Sequence, residues 1–157
     1  MKLADFIVTD AIVANLKSTD RNGVIRELVE SLAAAGAIPE ADVDVVAKAA
    51  IQRENQGSTG FGKGVAVPHV KHGQVPRIMA AIGRSEAGVD FAALDRAPVY
   101  TVVLLLSPPN SPEGHLQAME NIFRHLQRDN FRRFLRQAET REAIIDLLKE
   151  ADAGNAG

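Results

Sequence analysis

The eight residues from Val99 to Leu106, VYTVVLLL, are apolar at almost every position. Successive side chains of a strand point to opposite faces of a sheet, so a strand with one wet face alternates apolar and polar residues. A nearly continuous apolar run suits a central strand covered on both faces instead. VAVPHV at Val65 to Val70 and IMAAIG at Ile78 to Gly83 also read as strands, and AIVANL at Ala11 to Leu16 is a candidate for another.

Helical patterns stand on either side of these strands. Val24, Ile25, Leu28, Val29 and Leu32 recur at helical spacing after the capping-type cluster at Ser18 to Asp20, and Gly36 closes that helix. Pro39 opens a second helix that carries Val43, Val46 and Ala50 on one face. After the strands come a helix from about Pro112 to Gln127, a short helical segment to Arg136, and a helix from Thr140 to about Glu150. The pattern predicts an α/β fold: a single domain over residues 1–150, built on a mixed parallel/antiparallel β-sheet flanked by α-helices on both faces. Residues 151–157, ADAGNAG, read as a flexible tail.

Composition narrows the function. A net charge of −2 does not advertise a nucleic-acid partner. The chain has no cysteine, which removes disulfides and thiolate metal sites. Asp5 and Asp10 interrupt the apolar residues near the N-terminus, so no signal peptide or membrane span is expected there, and a cytoplasmic location is the default.

The stretch Gly57 to Gly73, GSTGFGKGVAVPHVKHG, carries the chemistry. Gly57, four residues, then Gly62-Lys63 has the spacing of a nucleotide-binding loop. Such a loop needs Ser or Thr after its lysine and must run from a strand into a helix. Here Gly64 follows, and the order is helix, loop, strand. A flexible helix-to-strand connection is the plainer reading of the glycines. His69 and His72 are three apart, but on a strand they point different ways and no acidic third ligand is evident, so no metal is expected.

Arg53-Glu54, then Ser58-Thr59-Gly60, then Gly62-x-Gly64 and Pro68-His69 form one long ordered pattern. This pattern resembles the enzyme IIA proteins of the bacterial phosphoenolpyruvate-dependent sugar phosphotransferase system, in the fructose, mannitol and nitrogen-related branch. FAALDRAPVYTVVLLLSPP and HLQAMENIFRHL are similar to further segments of that family, so the likeness runs from about Ile12 to Leu148. The resemblance implies that His69 accepts a phosphoryl group from an HPr-like phosphocarrier protein, without a cofactor. The group would pass to a separate enzyme IIB for fructose- or mannitol-type sugar uptake, or serve to switch binding to a regulatory target. The likeness of STGFGKGVAVPH and the lack of an attached module favour the nitrogen-regulatory type.

Imidazole suits that role, because a pKa near 6.5 leaves one ring nitrogen nucleophilic at neutral pH. By the same resemblance His115, in the first turns of the helix opened by Ser111-Pro112, stabilises the phosphoryl group. Arg53 contacts its oxygens or orients a neighbour, and Thr59 hydrogen-bonds His69 or the phosphoryl group. The glycines are expected to let backbone N–H groups approach the same oxygens. Asp95 is expected to form a turn, and His125 to lie on the surface, opposite the apolar stripe of Met119, Ile122 and Leu126. Arg124, Arg128, Arg132, Arg133 and Arg136 read as a solvated basic face, with docking of an acidic partner the alternative.

Overall fold

The structure is a computed structural model, described over residues 1–154. In chain order the elements are α1 (Arg21–Ala34), α2 (Val43–Gln56), β1 (Gly60–Gly62), β2 (Val65–Ala66), β3 (His69–Lys71), β4 (Met79–Val89), β5 (Val99–Ser107), α3 (Pro112–Leu126), α4 (Asp129–Gln137) and α5 (Arg141–Asp152). The apolar run forms β5, and β5 is central. On one side it pairs in parallel with β2 and β3, and on the other it pairs antiparallel with β4. The short β1 adds antiparallel to β2.

Both faces of β5 are covered, as its lack of a polar face requires. Val102, Leu104 and Leu106 pack into a core with α1 and α2, where Val24, Leu28, Val46 and Ala50 are fully buried. Val103 and Leu105 point the other way, into a second core with Ala118, Ile122, Phe131, Leu135 and Ile144 of α3, α4 and α5. Leu104, Leu105 and Leu106 are completely buried, each contributing roughly 2 kcal/mol by removal from water.

Two sequence expectations are modified. The segment VAVPHV is not one strand but two, β2 and β3, separated by Val67 and Pro68. Proline has no N–H to give the ladder, yet its carbonyl still accepts from Leu105 N at 2.9 Å, so β3 resumes in register on the same edge of β5. AIVANL is not a continuous strand. A 3-10 turn at Thr9–Ala11 takes its first residue, and the rest follows β4 through an isolated bridge, Val13 to Gly83, and a bond from Leu16 N to Arg84 O at 2.8 Å.

At the other end, α5 runs two residues past Glu150. Ala151 is buried, and the Asp152 carboxylate accepts from Leu3 N at 2.7 Å and Ala4 N at 2.9 Å, tying the two ends of the chain together. The remainder of the expected tail, residues 155–157, lies outside the described residues.

Candidate active site

His69 opens β3 directly after the buried Pro68, opposite Leu105 of β5. Its ring is fixed by the backbone before it: Nδ1 lies 2.7 Å from Val67 O. A carbonyl can only accept, so Nδ1 carries the proton and Nε2 keeps its lone pair. Burial pushes the His69 imidazole below its ordinary pKa; the Arg53 and Lys71 charges act in the same direction, against the Val67 bond and Glu54. At neutral pH the ring is therefore uncharged, with its free lone pair on Nε2.

His115 faces it from α3, with the two ring centroids 5.7 Å apart and the planes tilted by 51°. Pro112 at the first helical position sets the start of α3, and His115 N closes its first turn onto Ser111 O at 3.0 Å. The side chain is buried, with Nδ1 2.6 Å from the hydroxyl of Ser107, the fully buried last residue of β5. Burial, helped by the His69 and Lys71 charges, pulls its pKa down to about 4. His115 is neutral at pH 7. In the tautomer where Ser107 donates to Nδ1, its remaining proton sits on Nε2, available to an acceptor.

A buried carboxylate completes the frame. Glu54, in the last turn of α2, is 1% exposed and takes both of its hydrogen bonds from Thr59: Thr59 N to Oε2 and Thr59 Oγ1 to Oε1, each 2.7 Å. Thr59 O in turn accepts from Val67 N at 3.2 Å, and Val67 O holds His69. A chain of hydrogen bonds thus leads from the end of α2 to the His69 ring. Thr59 does not bond His69, as one sequence expectation had it: its only hydroxyl hydrogen is committed to Glu54. Arg53 donates from Nη1 to Gly57 O at 3.2 Å, fastening the helix end to the glycine stretch while its charge acts on His69.

Sequence reasoning thus brought His69, His115, Arg53 and Thr59 into one region, but it gave Glu54 no role beyond its place in the Arg53-Glu54 pattern and passed over Ser107. Glu54 had a signal, since a carboxylate five residues before Thr59 at a helix end can reach back over a tight turn. Ser107 had none, because its pairing with His115 depends on where α3 crosses the end of β5.

Other expectations resolve differently. Gly62, at φ +102°, and Gly64, at φ +77°, flank Lys63 at the tip of the β1–β2 hairpin. The tip sits beside Tyr100, since a Cβ on Gly64 would stand 3.3 Å from its ring. Val65 pairs with Thr101 while His69 pairs with Leu105, so four residues of β5, about 13 Å of strand, separate the tip from His69. These two glycines do not cradle the His69 site. Asp95 forms the expected turn, accepting from Ala97 N at 3.0 Å, and also clamps the hairpin by accepting from Lys63 N at 3.1 Å. Nδ1 of His72 accepts from Gln74 N at 3.0 Å within a turn.

His125 is not a surface residue. It is 6% exposed, its Nδ1 lies 2.9 Å from Asn121 O, and its ring meets Phe131 at 5.5 Å. It lies only about 60° from Ile122 around the helix, and α4 folds back over that side.

Comparison with known proteins places the whole chain in a family. The family model described as phosphoenolpyruvate-dependent sugar phosphotransferase system, EIIA 2, matches residues 5–151. The chain is 34% identical over 152 residues to the fructose-specific EIIABC component of Bacillus subtilis, covering 97% of this chain and 24% of that much longer protein. It is 30% identical over 154 residues to the nitrogen regulatory protein of Pseudomonas aeruginosa, covering 98% of this chain and 99% of the relative. The crystal structure of nitrogen regulatory protein IIA-Ntr from Neisseria meningitidis superposes with a TM-score of 0.82 at 27% identity, covering 93% of this chain and 98% of that one. A sheet that carries His69 beside His115 and a family match over nearly the whole chain lead to one assignment: the chain belongs to the EIIA type 2 family of the phosphoenolpyruvate-dependent sugar phosphotransferase system, whose members transfer phosphoryl groups between proteins.

Proposed function

We propose that this protein accepts a phosphoryl group on Nε2 of His69 from an HPr-like phosphocarrier protein and acts in nitrogen-type regulation. The observation that carries the reading is the Val67 carbonyl, which occupies the Nδ1 proton and leaves Nε2 as the nucleophile. In the transfer, the Nε2 lone pair attacks phosphorus while the P–N bond of the donor's phosphohistidine breaks, and its electron pair returns to the donor ring. The Nδ1 proton stays on His69, bonded to Val67 O. The product ring is then cationic, a good leaving group for passing the phosphoryl group onward.

His115 stabilises the transferred group. As a neutral ring held by Ser107 it donates one N–H to a phosphoryl oxygen without placing a second positive charge beside the product. Arg53 supplies the charge that offsets the oxygens. Thr59 works through Glu54, holding the turn that presents Val67. A phosphoryl group adds roughly two negative charges and strong acceptor oxygens, enough to change which target the protein binds.

The test is incubation with phosphoenolpyruvate, enzyme I and HPr, followed by intact mass and acid lability. Wild type is expected to gain one acid-labile phosphoryl group and His69→Ala none. A wild type that gains none from any such donor removes the mechanism.

A second reading, transfer to a separate enzyme IIB during fructose- or mannitol-type uptake, draws on the 34% identity to the fructose-specific component. Phosphoryl loss from the protein on addition of a purified fructose- or mannitol-type IIB domain would favour it. A target protein whose binding changes with phosphorylation would favour regulation. In either case the reaction takes place outside the bilayer, and among the described residues no helix is long and apolar enough to cross one.

A further inference from the structure

A cavity of about 590 Å³ lies at the end of β5 away from His69, between the β1–β2 hairpin, the Asp95 turn and α4. Lys63, Arg132, Arg133 and Arg136 line it, together with Tyr100 and two carboxylates, Asp95 and Asp129. The carboxylates neutralise it only in part. Asp129 pairs with Arg132, and Asp95, kept ionised by backbone N–H groups of the hairpin and its own turn, offsets one further cation, so four cations against two carboxylates leave the lining positive. Among the described residues Lys63, Arg133 and Arg136 form no ion pair.

These cations are positioned. The Arg136 guanidinium stacks on the Tyr100 ring with its carbon 3.6 Å from the centroid. The backbone beneath it is pinned by the buried Arg84, whose Nε donates to Arg136 O at 2.7 Å. Arg133 is steadied by Asn130 Oδ1 at 2.8 Å. Lys63 is held at the hairpin tip with φ +61°, a left-handed conformation that lysine rarely adopts. The excess of positive charge around this concavity opposes folding, and an anion carrying more than one charge would relieve it.

We propose that this cavity is a second site, separate from the His69 centre, and that it binds a small polyphosphate. Guanidinium forks match the paired oxygens of phosphate better than any other side chain. Two arginines and a lysine can engage two adjacent phosphate groups at once. The volume lies in the range of small-molecule pockets, and Pro98 and Ala97 add an apolar wall against which a base could rest. The shared chemistry is a diphosphate or longer chain, whether free or carried by a nucleoside. The lysine of the apparent nucleotide-loop spacing thus faces phosphate after all, from a hairpin instead of a loop that starts a helix.

The chain has one tyrosine and no tryptophan, so its intrinsic fluorescence reports on Tyr100 alone. Titration with pyrophosphate and with tripolyphosphate should change this signal saturably, while sodium chloride at equal ionic strength should not. Calorimetry with ATP and GTP distinguishes the sources: binding tighter than tripolyphosphate identifies a nucleotide, and equal or weaker binding identifies the phosphate chain alone. Arg133→Ala and Lys63→Gly should each weaken binding by about tenfold, the loss of one charge-assisted contact. Lys63→Gly relieves the left-handed backbone, so it serves where an arginine variant fails to fold. His69→Ala should bind as wild type does. No saturable binding of any of these probes, or binding unaltered in both charge variants, overturns the proposal, and loss of binding in His69→Ala overturns the separation of the two sites.

Discussion

Thr59→Val tests whether Thr59 serves the site through Glu54 or touches the transferred group. Valine keeps the shape and removes only the hydroxyl, which donates to Glu54 Oε1 at 2.7 Å. Glu54 is 1% exposed, so water cannot replace the lost donor, and the carboxylate keeps one partner, Thr59 N. Hydrogen bonds to charged groups contribute about 1.5–3 kcal/mol, and a buried acceptor left unpaired costs as much. The expected loss is about 2 kcal/mol, or about 4–8 °C in Tm for a domain of this size. Thr59→Ser keeps the donor and should lose less than about 1 kcal/mol. The assay is urea unfolding of the three proteins, paired with the rate of phosphorylation by HPr. Because the hydrogen-bond chain from Glu54 to His69 loosens, Thr59→Val should accept phosphoryl more slowly but still to completion. If its unfolding midpoint equals that of wild type while phosphoryl acceptance is abolished, the hydroxyl acts on the phosphoryl group and the reasoning is wrong.

Three further outcomes follow from individual contacts. His115, followed by NMR of its ring protons, should titrate at about 4; a midpoint near the ordinary 6.5 would show that it is not desolvated. Since its folded pKa lies below the unfolded one, the unfolded chain binds the proton first. Stability from this residue is therefore complete above about pH 6.5, falls as the pH drops towards 4, and is flat below that, which urea midpoints across the range will check for wild type against His115→Asn. Lys63→Gly should raise stability by up to about 1 kcal/mol, because φ +61° costs lysine and not glycine; a lower unfolding midpoint would contradict this. Asp152→Ala should lower stability by about 1–2 kcal/mol, since the amides of Leu3 and Ala4 lose their acceptor, and unchanged thermal unfolding would mean the two chain ends are not coupled.

Much of the fold was legible because β5 has no polar face, and such a strand needs cover on both sides. Its neighbours were less so. Pro68 splits β2 from β3 without breaking their common pairing to β5, a distinction that depends on which peptide groups face the ladder. The failure at His125 has a clear cause: helical angle alone places it near Ile122, and its burial is completed by α4, whose return over α3 no local pattern encodes. His69 and His115 were singled out through the family resemblance, and the structure sets their rings beside each other. The partners that hold them were harder, because Val67 acts through a backbone carbonyl, and Ser107 meets His115 only through the crossing of α3 over the end of β5. The glycines were expected to bring backbone N–H groups to the phosphoryl oxygens, whereas Gly62 and Gly64 serve a hairpin tip about 13 Å along the strand from His69.

The Val67 carbonyl, by holding the Nδ1 proton, decides which nitrogen of His69 carries the phosphoryl group. Long-range proton–nitrogen correlation spectra of the protein labelled with nitrogen-15 and phosphorylated by HPr will read this directly. The expected spectrum has one phosphorylated histidine, His69, with phosphorus on Nε2 and a proton retained on Nδ1. Phosphorus on Nδ1 of His69, or on His115, would contradict the role given to the Val67 carbonyl and to the two rings.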